Sequence, residues 1–535
     1  MRAPKLLHVI SGLLIALIGV PALTQSPSAP ASMPASSQAP KSSALVWQNW
    51  SDDVFAQARR EHKFVLLDLE AVWCHWCHVM DAETYQDPAV KSLLQAKYLL
   101  VKVDQDSRPD LSNRYEDYGW PATVVFNGDG EEIVKRQGYI APKPMASLLQ
   151  AIIDDPTPGP SVVPEKKIAL AKSSQFSPEL LAELHKNFDA QYDTATAGWG
   201  FGHKYLDADS VEYAMYLAAH GDQQAEQRAR DTLRQELKLI DPVWGGAYQY
   251  SVDGNWNEPH FEKLISVQAQ VIHIYSAAYV QWHDPSYLRA AQSVHAYVKN
   301  FLMAPSGVFY VSQDADVIEG QPSADYFKLD DPARRRQGIP RVDKHIYARE
   351  NGWMIAAVCE LYKASGDPAT LAEARGAADW MVDNRSLPHG GFRHDEHDLA
   401  GPYLADTLAM GQAFFALYQA THEERYLQQA DDALGFINFY MTSDDTPGYL
   451  TSKTPTDHSY KPHPERDENV QMARLATAIY AVTGNVVDEE IADHAMRYLA
   501  AKEIALRPMA GGVLQAQAEF SSRRQTTAEQ PAAQH

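Results

Sequence analysis

The sequence predicts two domains of different class, an α/β domain followed by an all-α ring of helical hairpins. Three observations lead there. An apolar run, Phe64-Val-Leu-Leu-Asp-Leu69, feeds the stretch Trp73-Cys74-His75-Trp76-Cys77-His78, which holds two of the three cysteines in 535 residues. From Phe176 to about Leu506 apolar residues instead recur at helical spacing, with no comparable strands between them. Through that region a glycine-containing turn followed by an aromatic or apolar pair occurs six times: Gly198-Trp-Gly-Phe, Gly245-Gly-Ala-Tyr, Gly307-Val-Phe-Tyr, Gly390-Gly-Phe, Gly448-Tyr-Leu and Gly511-Gly-Val-Leu. Six such turns among about twelve helices predict six hairpins closed into a ring, an (α/α)6 toroid.

Residues 1–24 read as an export signal. Arg2 and Lys5 give a positive start, Val9 to Val20 is apolar but too short to span a bilayer, and Val20-Pro21-Ala22 offers a cleavage site. A periplasmic or secreted location follows as the expectation, with no stable membrane span after cleavage and a compartment in which a disulfide persists. Residues 25–44 are rich in Pro, Ser and Ala and read as a flexible linker. The composition of the whole chain is that of a globular protein, 45% hydrophobic and 22% charged. A net charge of −22 argues against nucleic acid or an anionic membrane surface as partner.

Residues 45–155 form the first domain. Asp52 to His62 reads as a helix, Phe64 to Ala71 as a buried strand, and the cysteine stretch opens a helix that Pro88 interrupts or kinks. Tyr98 to Val103 is a strand and Arg108 to Asp117 a short helix. Ala122 to Phe126 is a strand, turned by Asn127-Gly-Asp-Gly130 into Glu131 to Arg136, and Pro142 to Asp154 closes with a helix. The order β-α-β-α-β-β-α with a Cys-x-x-Cys after an early strand is the thioredoxin arrangement. Residues 156–175 begin with four prolines in nine residues and form a second linker.

Eleven helices are expected in 176–510. They are Ser177–Phe188, Ser210–His220, Ala225–Ile240, Lys263–Trp282, Tyr287–Leu302, Ile346–Ala364, Ala369–Asn384, Leu404–Thr421, Tyr426–Met441, Glu468–Thr483 and Asp488–Ile504. Residues 511–535 are expected to be a flexible tail. Cys359, alone in a helix, is expected to be a small core residue.

The chemistry is expected at the cysteines. Cys74 comes first, so it sits at the helix N-terminus, where the dipole and free N–H groups favour a thiolate; it is the nucleophile and Cys77 the resolving thiol. His75, when protonated, adds to that field, and Trp73 shields the pair from water. Asp68, six residues upstream, is placed either to relay a proton to Cys77 or to face solvent at a strand end. Pro121 precedes a strand, where a cis proline holds the backbone open beside the sulfurs for a docking substrate. Cys74-His-Trp-Cys-His78 also satisfies the attachment motif of c-type haem, and Cys74, Cys77, His75 and His78 are metal-type ligands without a second pair at zinc spacing. The strand–helix–strand setting favours a redox-active disulfide, with no cofactor and no metal. Partners are then protein thiols or disulfides and a recycling redox partner.

Cys74-His-Trp-Cys-His-Val-Met80 resembles the signature of the spermatogenesis-associated thioredoxin-like family. Gly198-Trp-Gly-Phe-Gly202 with Lys204, Tyr250-Ser-Val-Asp253, Pro259-His-Phe-Glu-Lys263 and Ser312-Gln-Asp-Ala-Asp316 continue the resemblance, which covers most of the chain from Trp47. It implies a thioredoxin-like domain joined to a toroid similar to six-hairpin glycosidases. Trp73 stands where the family usually has a small residue, a glycine-rich insertion after the third strand is missing, and Leu264-Ile-Ser-Val replaces acidic and amide positions.

If the ring closes, its turns gather His203, Tyr250, Trp256, Glu258 and His260 at one mouth. Glu262, Asp314, Asp316 and Asp406 join them there. Aromatics with carboxylates suit a glycan. Glu258 or Glu262 with Asp314 or Asp316 could supply the two carboxyls of a glycoside hydrolase, and His203 with His260 the acid and base of an epimerase. The sequence reading is therefore an exported thiol–disulfide oxidoreductase whose toroid recognises a substrate or partner. The alternative is a carbohydrate-binding or carbohydrate-processing toroid with an accessory thioredoxin-like domain.

Overall fold

A computed structural model describes residues 44–529 apart from 164–167, 169–170, 399, 445–447 and 454–460. The expected export signal, nearly all of the first linker and the last residues lie outside the described residues. From Ala44 on the chain clusters as one compact unit.

The first domain carries β1 (Trp47–Gln48), α1 (Asp52–Glu61), β2 (Phe64–Glu70), α2 (His75–Glu83), α3 (Pro88–Lys97), β3 (Tyr98–Asp104), α4 (Pro109–Tyr115), β4 (Ala122–Phe126), β5 (Glu132–Gln137) and α5 (Pro142–Asp154). The sheet order is β1-β3-β2-β4-β5, with β1, β3 and β2 parallel, β4 antiparallel to β2 and β5 antiparallel to β4. Alternation along β2 sends Val65, Leu67 and Leu69 to Val54, Phe55 and Ala58 of α1, and Leu66 to Met80, Leu94 and Leu149 on the other face. Pro88 does more than bend a helix. Asp87 caps a new one, its Oδ1 accepting from the N–H groups of Ala89 and Val90 at 2.9 and 3.1 Å, with Pro88 in the first turn.

The second domain is the expected ring. Its long helices are α6 (Pro178–Ala190), α7 (Ala208–Ala219), α8 (Gln223–Glu236), α9 (Ile265–Trp282), α10 (Pro285–Tyr297), α13 (Ala348–Ser365), α14 (Pro368–Arg385), α15 (Leu404–Thr421), α16 (Glu424–Tyr440), α17 (Arg466–Thr483), α18 (Val486–Leu499) and α20 (Gly511–Glu529). Short helices α11 (Ala324–Phe327), α12 (Asp331–Gln337) and α19 (Lys502–Ala505) fill loops, as do two-residue strands β6 (Tyr250–Ser251), β7 (Pro259–His260), β8 (Lys263–Leu264), β9 (Ser312–Gln313) and β10 (Val342–Asp343). The inner helices α7, α9, α13, α15, α17 and α20 each pack on the next, and α20 packs back on α7. Gly352 permits one such approach: a Cβ there would lie 2.5 Å from the Ala409 carbonyl carbon. Cys359 is a buried core residue of α13.

Two expectations are corrected here. The tail expected from residue 511 is instead α20 as far as Glu529, the helix that closes the ring, with Val513, Leu514, Ala516 and Phe520 in the core. The sixth glycine pair is therefore not a turn. A Cβ on Gly511 would lie 2.6 Å from Ser210 Cα, so these glycines let α20 approach α7. Four of the remaining turns fold back on the end of the preceding outer helix through the bridges Tyr192↔Trp199, Ile240↔Ala247, Met303↔Phe309 and Ser386↔Phe392. At the fifth, Leu450 N–H donates to Met441 O at 2.7 Å. No helix among the described residues is long and apolar enough to cross a membrane.

Candidate active site

Strand β2 ends at Glu70, and the turn that follows is closed by Cys74 N–H donating to Ala71 O at 3.0 Å. Cys74 becomes the N-cap of α2. Its Sγ accepts the N–H of Cys77 at 3.1 Å, so the first sulfur takes up one of the unpaired donors of the helix start. Cys74 and Cys77 form a disulfide with Cα atoms 5.3 Å apart. Both are buried, at 4% and 2% exposure, in a small cluster with Ala71 and Trp73, against which Trp120 and Leu264 pack.

Trp73 is buried and its Nε1–H donates to Asp106 Oδ2 at 2.8 Å. Trp120–Pro121 is a cis peptide at the entry to β4, and Trp120 lies against the cysteine cluster. Asp68 is 2% exposed, which removes the solvent-facing reading. It lies on the face of β2 covered by α2, with Lys102 Nζ 3.5 Å from Oδ2, and its Oδ1 has no hydrogen-bond partner. Burial pushes its carboxyl up to about 7, although Lys102 pulls the other way. A buried carboxyl with that affinity for protons suits proton transfer at neutral pH. Asp68→Asn is expected to slow thiol exchange about 100-fold at neutral pH and to remove an inflection near pH 7 from the pH–rate profile, measured by stopped-flow fluorescence.

The two histidines of the stretch do not face solvent. His75 Nδ1 lies 2.8 and 2.9 Å from the two carboxylate oxygens of Asp316, and His78 Nδ1 lies 3.3 Å from Asp316 Oδ2. Both partners belong to different domains, so α2 is tied to the ring. The hydrogen bond that the His75 ring donates to the Asp316 carboxylate raises the His75 pKa. Burial opposes the charge on Asp316, but the bonds from His75 and His78 prevail and hold its carboxyl at about 2. The expected contribution of His75 to the Cys74 field is therefore offset by the carboxylate beside it.

The expected toroid residues divide into three groups. Tyr250, His260, Glu262, Asp314 and Asp316 come together around β6 to β9, and His203 reaches Tyr250 edge-on at 5.1 Å. His260 stacks on Tyr250 at 4.3 Å, and burial lowers its pKa to about 4. Glu262 and Asp314 are buried and burial raises each to about 7. Trp256 is instead a strut, buried, with Nε1–H donating to Thr196 O at 2.9 Å, and Glu258 is exposed on the rim. Asp406 is not in a pocket either. It accepts from Arg349 N–H and pairs with His394 Nδ1, each at 2.8 Å.

Further contacts across this joint pair residues far apart in the chain. His394 Nε2–H donates to the Asp106 carbonyl at 2.7 Å, Asn113 Nδ2 donates to Glu468 Oε1 at 2.8 Å, and Arg349 approaches Asp106 at 4.0 Å. With Leu264, these contacts place the N-terminal ends of α9, α13 and α17 and the loop before α15 against the first domain. The mouth expected to bind a ligand is the surface on which the thioredoxin-like domain docks.

Comparisons with known proteins agree with this architecture. Residues 37–153 match the family Thioredox_DsbH, described as a protein of unknown function, DUF255. The chain is 28% identical over 305 residues to human "Spermatogenesis-associated protein 20", a stretch covering 50% of this chain and 39% of that protein. The chain thus spans about two-fifths of the length of that relative. It is 36% identical over 110 residues to "Thiol:disulfide interchange protein DsbD 1" of Pseudomonas aeruginosa, covering 19% of this chain and 18% of that one. Among solved structures, cellobiose 2-epimerase from Spirochaeta thermophila superposes with a TM-score of 0.52 at 11% identity, over 66% of this chain and 97% of that one. The chain joins a thioredoxin-like domain to an (α/α)6 toroid, and the resemblance read from its motifs holds.

Proposed function

We propose that this protein is an exported thiol–disulfide oxidoreductase acting through Cys74 and Cys77. The observation that carries the reading is the disulfide at the tip of α2, with Cys74 Sγ held on the Cys77 N–H. In the reduced protein that donor and the helix dipole favour a Cys74 thiolate. The thiolate attacks a client disulfide, forming a mixed disulfide and releasing one client thiolate. Cys77 then attacks Cys74 Sγ, releasing the second client thiolate and closing the Cys74–Cys77 disulfide. Two electrons pass to the client, and a partner dithiol must return two to restart the cycle; the reverse sequence oxidises a client dithiol. Export rests on the segment from Arg2 to Ala22.

Several observations support this reading over the others. The carboxylates that a sugar-processing ring needs, Glu262, Asp314 and Asp316, are turned towards the thioredoxin-like domain, and Asp316 is already bound to His75. Cys74 and Cys77, the two sulfurs that a c-type haem would bind covalently, are instead joined to each other, which argues against haem attachment. The reading is tested by alkylating the reduced protein with iodoacetamide across pH. The Cys74 rate is expected to reach half its maximum below the ordinary thiol value of about 8.5. An ordinary, sluggish thiol at that position would overturn the proposal.

A further inference from the structure

We propose that His78, Asp314 and Asp316 form a binding site for a divalent transition-metal ion, located where α2 meets the segment after β9. The proposal does not rest on the thiol chemistry, because neither sulfur is a ligand. One donor atom from each of the three residues lies within 4.8 Å of the other two. His78 Nδ1 is 3.3 Å from Asp316 Oδ2 and 3.7 Å from Asp314 Oδ2. Bonds of about 2.0–2.2 Å to a tetrahedral ion separate neighbouring ligand atoms by about 3.3–3.6 Å, so one ion reaches all three with small shifts.

Two independent observations point to a ligand. Asp314 is 2% exposed, and its Oδ2 accepts no hydrogen bond although it is aimed at His78. A buried carboxylate oxygen without a donor is costly. The second concerns the imidazole. His78 Nε2 lies 3.2 Å from the Val72 carbonyl, which can only accept, so Nε2 carries a proton. A ring protonated on both nitrogens meets the two carboxylates with its Nδ1–H, and a ring that has given up that proton leaves Nδ1 facing Asp314 Oδ2 and Asp316 Oδ2, where a metal ion takes the proton's place. A histidine that donates one N–H to a backbone carbonyl while its other nitrogen faces carboxylates is oriented as metal-bound histidines are.

The surrounding bonds fix the donors. Asp316 N–H donates to Asp314 Oδ1 at 2.9 Å, Gly320 N–H donates to Asp316 Oδ2 at 2.8 Å, and His75 holds Asp316 Oδ1. One imidazole with two carboxylates suits zinc, manganese or ferrous iron. The acidic group Asp68, Glu70 and Asp81 is different, because the Lys102 ammonium already occupies it.

The test uses the untagged, chelator-treated full chain with its disulfide closed, titrated with Zn²⁺ by calorimetry near neutral pH. One ion per chain is expected, and His78→Asn and Asp314→Asn should each weaken binding about 100-fold or more. Both variants should keep the wild-type circular dichroism and a disulfide that dithiothreitol reduces, so failure here and failure of the redox reading are separable. Absence of stoichiometric binding would overturn the proposal and leave a proton on Nδ1 as the cation. Equal binding in both variants would also overturn it, as would binding only after reduction, which assigns the ion to the cysteine thiolates.

Discussion

Cys74→Ser is expected to reduce thiol–disulfide exchange to below about 1% of the wild-type rate while leaving the fold in place. A serine hydroxyl is not ionised at neutral pH and does not attack a disulfide, so no mixed disulfide forms. The fold survives for a local reason. Cys74 is the N-cap of α2, a position at which serine is among the preferred residues, and its Oγ can accept the Cys77 N–H now held by Sγ. Cys74→Ala removes that acceptor as well and should cost about 1 kcal/mol more. Insulin reduction coupled to a dithiol, with circular dichroism as the fold control, measures both effects. Full turnover in Cys74→Ser would remove Cys74 from the mechanism.

The second large effect concerns the joint between domains. His394 is fully buried, with Asp406 on Nδ1, Tyr347 stacked at 4.0 Å and the Asp106 carbonyl on Nε2. Burial opposes its charge, but Asp406 outweighs burial, with Glu350 adding to it and Arg349 opposing, and the pKa rises to about 9. The folded value lies above the ordinary 6.5, so the stabilisation is complete below about pH 6.5 and is lost as pH rises through about 9. A shift of that size corresponds to about 3 kcal/mol. The urea midpoint should therefore fall between pH 6 and pH 9.5. His394→Gln should lose about 3 kcal/mol at pH 6, because Asp406 is left buried without its counter-charge, and should flatten the pH dependence. A variant as stable as wild type at pH 6 would show that the joint does not depend on this pair.

Much of the architecture was legible because it is written locally. Leu404–Thr421, Ala122–Phe126 and Pro142–Asp154 begin and end where periodicity, turns and prolines place them. β1 was missed because two residues, Trp47 and Gln48, carry no alternation to detect. α20 was missed because its glycine pair looks the same as a turn and its later residues are polar. The cysteine pair was legible from spacing alone. The joint was not, since His75 and Asp316 are 241 residues apart and His394 and Asp106 are 288 apart, and no local pattern reports such pairs. Trp256 and Asp406 were assigned to a pocket on residue type, which does not distinguish a strut from a ligand-binding group.

Leu264, the residue just before α9, packs against the small cluster that holds the two cysteines. With both cysteines exposed by 4% or less, a folded client is expected to reach the disulfide only when the two domains part. Turnover with such a client should level off at a ceiling set by that breathing motion, whatever the client concentration. A small dithiol, slipping past the leucine, would obey a different rate law.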